Sequence, residues 1–99
     1  MMDEALVGAL HGPEFRRYLI DCDVAGLTRA WNAVARPAEV ITTERQGLAV
    51  LHMARVHAAS VPLRLRRYSA AWLDERGLGT CLPPALRPFI LMPAMGAIQ

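Results

Sequence analysis

Lysine is missing from this chain: all eleven basic side chains are arginine. Guanidinium groups bond carboxylates and phosphates in bidentate fashion, which suits interfaces, while a GC-rich coding bias gives the same usage without functional meaning. Cysteine is scarce as well. Two in 99 residues are too few for a disulfide scaffold and point to a reduced, cytoplasmic setting. The last apolar run, Pro88 to Ile98, is too short to span a bilayer and is broken by Pro93. The opening Met1-Met2-Asp3-Glu4 is acidic where a secretory signal carries positive charge. β-Branched residues are few and scattered, whereas alanine and leucine dominate, which favours helix over sheet.

What is present describes a folded chain. A composition of 54% hydrophobic and 20% charged residues lies far from the regime that stays disordered. Ninety-nine residues make one domain. Charge is unevenly shared: residues 1–44 hold four arginines against seven carboxylates, and residues 45–99 hold seven against two. Such asymmetry either steers an acidic partner to the second half or draws the two halves together within one fold.

Helix signals recur along the chain. Asp3 is placed to cap a first short helix ending at His11-Gly12. Pro13 opens a second, with Phe15, Tyr18, Leu19 and Cys22 on one face. Asp23 caps a third, Val24 to Arg36, packed through Val24, Leu27, Trp31 and Val34 and covered outside by Arg29, Asn32 and Arg36. Thr43 and Gln46 form a capping-box pair for a fourth, running to about Ala59. That helix is apolar nearly all round, which belongs in the middle of a bundle. The fifth is the most legible: Ser60-Val61-Pro62-Leu63 opens it and Gly77 closes it. Its packed face is read as Val61, Leu65, Tyr68, Ser69, Trp72 and Leu73. Beyond Gly77 the glycines and prolines predict irregular chain with one helical turn at Pro84 to Arg87. The apolar tail from Phe89 to Ile98 must either pack across the bundle or dock on another chain.

Chemistry is harder to find. His52 and His57, five apart, diverge around a helix, unlike a zinc-protease pair at i and i+4. His52 is expected to border Arg45 on a polar strip. Cys22 sits between Asp21 and Asp23, which oppose thiolate formation, and reads as a small core hydrophobe. Gly77 and Gly79 match neither a P-loop nor a dinucleotide fingerprint. No base–nucleophile pair can be assembled, so no enzyme, metal or cofactor is expected. Helices four and five also read as a helix-turn-helix with Arg64, Arg66 and Arg67 toward a groove. Arg66 projects away from the other two, however, and Asp74 shares the outer face with Arg67.

From Ala54-Arg55 onward the chain resembles small proteins encoded by phages and prophages of alphaproteobacteria. The matching residues are Ser60-Val61-Pro62-Leu63, Leu65, Tyr68-Ser69, Trp72-Leu73, Glu75-Arg76-Gly77-Leu78, Leu82-Pro83, Leu86-Arg87-Pro88 and Gly96. Where those proteins tend to have histidine after Tyr-Ser and Pro-Ser after Gly-Leu, this chain has Ala70 and Gly79-Thr80. The resemblance implies a mobile-element origin and carries over no functional residue.

The resulting expectation is an all-α fold over residues 1–99: a compact bundle of four to five helices with an irregular, proline-rich C-terminal tail, 78–99, packed on it. Its expected role is non-enzymatic protein binding, as in a phage-encoded inhibitor or modulator of a host protein complex such as an anti-CRISPR. Arg64, Arg67, Arg55 and Glu75 are the partner-binding candidates. The alternative is a small DNA-binding regulator. Neither the partner's identity nor the oligomeric state follows from the sequence.

Overall fold

The computed structural model describes residues 12–86. Four α-helices follow in order: α1 (Pro13–Asp21), α2 (Val24–Val34), α3 (Glu44–His57) and α4 (Leu63–Arg76). Short 3-10 turns at Pro37–Glu39, Leu78–Cys81 and Pro84–Leu86 complete the fold, and the described residues contain no strand. The all-α architecture expected from composition and periodicity is the one observed. The expected first helix at Asp3 and the tail Phe89–Ile98 lie outside the described residues.

Side-chain caps start α2 and α3, whereas α1 and α4 begin without one. Pro13 begins α1, where a missing N–H costs nothing. The Asp23 carboxylate accepts from Gly26 N at 2.9 Å and starts α2. Thr43 and Gln46 form the reciprocal capping box of α3: Gln46 N donates to Thr43 Oγ1 at 3.1 Å, and Thr43 N donates to Gln46 Oε1 at 3.2 Å. Ser60, expected to cap the last helix, does not. Pro62 holds the N-cap position in an extended conformation and no side chain caps it. Val61 is thereby tucked into the core just ahead of the helix.

α3 is the central element and packs against α1, α2 and α4. It is buried without a break from Ala49 to Arg55, as its all-round apolar sequence requires. The core joins Phe15 and Leu19 of α1, Leu27 and Trp31 of α2, Val50, Leu51 and Met53 of α3, and Leu73 of α4. Leu78, Leu82 and Leu86 close it from the C-terminal side. Trp31 is enclosed completely, its indole N–H donating to the Glu39 carbonyl at 2.7 Å. Asn32, expected on an outer face, instead brackets Ile41: its amide donates to Ile41 O at 3.0 Å and accepts from Ile41 N at 2.8 Å. That clasp holds the link between α2 and α3 against the bundle.

Near the ends of α1 and α2, two residues expected inside are outside. Cys22 ends α1 in the left-handed conformation, which carries its side chain off the Phe15–Leu19 line into solvent. Val34, in the last turn of α2, is also exposed.

Candidate functional site

The inward face of α4 is rotated relative to the sequence reading. Ser69 is fully buried, Leu73 is buried, and Leu65 and Trp72 are partly covered. Tyr68 stands 72% exposed. The physical reason is angular: Tyr68 lies about 100° around the helix from Ser69, the residue that meets α3, and so falls outside the packed arc. Ser69 is small enough to admit α3 closely, and the larger Tyr68 is displaced to the surface.

The surface so formed mixes apolar and cationic groups. Leu63 (54% exposed), Arg64, Arg67, Tyr68 and Ala71 line a shallow depression along the outer side of α4. Arg64 and Arg67 are exposed, as expected of contact residues. Asp74 and Glu75 continue the same side toward the helix end, where Glu75 meets the Arg76 guanidinium at 3.5 Å. On this outer side the charge order is therefore basic first and acidic later, the reverse of what the helix dipole favours, although Arg76 in the last turn complies with it.

Arg55 does not join them. It is only 7% exposed, on the buried run of α3, and its Nε atom has no hydrogen-bond partner among the described residues. The remaining candidates, Arg64, Arg67 and Glu75, share the outer side of α4, while Arg55 sits behind that helix.

A second cluster occupies the α3–α4 seam, and sequence reasoning missed it. His52, expected on a polar strip with Arg45, is buried, with Nδ1 3.3 Å from Ser69 Oγ. Ser69 Oγ donates its proton to Leu65 O at 2.8 Å, so it accepts from an Nδ1–H on a neutral imidazole. Burial, and then the charges of Arg55 and Arg76, push the His52 pKa down to about 4. A serine and a histidine meet here. The proton arrangement makes Ser69 an acceptor from His52, not a nucleophile that His52 deprotonates. The signal available in advance was the position of His52 within the largely apolar run Leu48 to Ala54.

No group of three or more His, Cys, Asp or Glu side chains among the described residues could hold a metal ion. Among the described residues no helix is long and apolar enough to cross a membrane. Comparison with protein-family models, with curated proteins and with solved structures finds no match to this chain.

Proposed function

We propose that this domain is a protein-binding module that docks through the outer face of α4. The observation that carries the reading is the exposure of Leu63 and Tyr68 on either side of Arg64 and Arg67. Aromatic side chains and arginine supply most binding energy at interfaces, and a tyrosine at the surface costs little entropy to immobilise. The partner of matching chemistry is a protein surface with an apolar recess flanked by carboxylates. Taken with the phage-like pattern of residues 54–96, this favours an inhibitor or modulator of a host protein complex, of which an anti-CRISPR protein is one form.

The test is affinity for a purified host partner, measured with the wild-type chain, Tyr68→Ala and the double variant Arg64→Glu/Arg67→Glu. Both variants are expected to weaken binding at least tenfold, equivalent to about 1.4 kcal/mol. Unchanged affinity in both removes this face from the interface.

A second reading has one observation in its favour. Tyr68 is exposed beside two arginines, the combination that stacks a base while neutralising phosphate. Asp74 and Glu75 on the same side repel a phosphate backbone and weigh against it. A gel-shift series in rising salt separates the two, since phosphate contacts make affinity fall steeply with ionic strength.

A further inference from the structure

We propose that the outer face of α4 is self-complementary and pairs antiparallel with the same face of a second copy of this chain. The pairing stands on the charge order of the face itself, independently of any foreign partner.

Arg64 and Arg67 occupy the first half of the helix, and Asp74 and Glu75 the second; all four are exposed. Arg67 and Asp74 are seven residues apart, about 20° short of two full turns, and Arg64 and Glu75 are eleven apart, about 20° beyond three turns. Each pair thus lies along nearly one line of the helix surface. Laying a second α4 face to face and antiparallel, about a two-fold axis near residue 70, sets Arg67 of one copy opposite Asp74 of the other. The same axis brings Arg64 to Glu75, because the midpoints of the two pairs differ by only one residue, about 1.5 Å along the helix. Symmetry repeats both contacts, giving four ion pairs from two.

The centre of the face supports the same arrangement. Ala71 lies beside the axis, and its small side chain lets two helix backbones approach closely. Tyr68 of each copy then covers apolar surface near the crossing instead of standing in water. A parallel pairing fails, because it sets Arg64 and Arg67 against their own copies. The reversed charge order of this face, unfavourable to the dipole of its own helix, becomes favourable once an inverted copy lies alongside.

One helix pair buries less than the 1,200–2,000 Å² or so typical of stable complexes, so the association is weak and concentration-dependent. It also covers the face assigned above to a foreign partner, and the two occupants exclude each other.

Sedimentation equilibrium across a wide concentration range, in low and high salt, tests the proposal. Wild-type chain is expected to dimerise, less so in high salt. Arg67→Glu and Asp74→Arg should each weaken association about tenfold, by placing like charges opposite one another. The double variant Arg67→Glu/Asp74→Arg should restore it, because the swapped charges attract again. Both positions are exposed, and unchanged far-UV circular dichroism verifies the fold. A monomer at every concentration, a dimer indifferent to both single reversals, or no recovery in the double variant overturns the proposal. The double variant also separates the two readings, since it regains self-pairing while presenting a foreign partner with altered charge.

Discussion

Glu39 reaches across 46 residues of sequence to Ala85: its Oε2 accepts the Ala85 backbone N–H at 2.9 Å. The same residue's carbonyl holds the indole of Trp31. One glutamate in a 3-10 turn therefore ties the α2–α3 link to the C-terminal turn Pro84–Leu86, whose Ala85 and Leu86 are buried.

Glu39→Ala should lower stability by about 1–3 kcal/mol, because it leaves a part-buried N–H without its charged acceptor. Glu39→Gln keeps an acceptor oxygen and should lose less. Urea denaturation ranks the two, and hydrogen exchange at the Ala85 amide should speed up in the alanine variant first. Equal exchange in all three chains would show that the 84–86 turn is held by Leu86 packing alone.

Stability should fall in acid partly through His52. Its imidazole stacks on Trp72 at 4.1 Å and 18° from parallel, while the Arg76 guanidinium covers Trp72 at 4.4 Å. The charged groups acting on His52 are Arg55 and Arg76, both cations, and Ser69 adds a hydroxyl. The folded pKa of about 4 lies below the ordinary 6.5, so between those values the unfolded chain binds the proton more readily. The contribution is thus complete above pH 6.5 and lost as pH falls toward 4. Urea midpoints from pH 7.5 to 4 should drop more steeply in the wild type than in His52→Gln. Parallel curves would mean that this imidazole carries no burial penalty.

Much of the fold was readable in advance, and the errors have a common cause. The Asp23 cap, the Thr43–Gln46 box, the Gly77 stop and the buried α3 all follow from chemistry within a few residues, which sequence displays directly. Tyr68 and His52 depart from expectation because their settings depend on how helices rotate against one another, and Cys22 because the chain turns left-handed at the end of α1. Size decided α4: Ser69 permits contact with α3 where Tyr68 does not. Apolar periodicity cannot see that choice, since it scores a tyrosine as readily as a serine at the edge of a face. Of the candidate contact residues, Arg64, Arg67 and Glu75 lie on the outer side of α4, as helical spacing indicates, whereas Arg55 belongs to the buried run of α3.

Two helix ends offer a matched backbone test. Cys22 and Gly77 both adopt φ 57°. Gly77 meets that conformation without steric cost, and Cys22 does not. Cys22→Gly should therefore raise stability by about 0.5–1 kcal/mol, despite the greater freedom glycine brings to the unfolded chain. Gly77→Ala should lower it by about 1 kcal/mol, although a Cβ there meets nothing within 4 Å. Thermal melts measure both. A destabilised Cys22→Gly would show that the thiol contributes packing that its exposure does not suggest.

Gly47 separates helix propensity from packing. It lies in the second turn of α3, where alanine would ordinarily gain about 1 kcal/mol over glycine. A Cβ at this position would stand 2.9 Å from Thr28 Oγ1 and 2.9 Å from Val24 Cγ1, both on α2. Thr28 can turn its hydroxyl aside, but valine in a helix is held to one rotamer, so relief requires α2 to move away from α3. Overpacking of that kind costs about 1–3 kcal/mol, which outweighs the propensity gain. Gly47→Ala should accordingly melt several degrees lower, about 4–8 °C for each net kcal/mol in a domain of this size. The paired variant Val24→Ala/Gly47→Ala removes the obstructing methyls and should recover part of the loss. A Gly47→Ala chain that melts higher than wild type would mean that α2 and α3 are not in close backbone contact at this crossing.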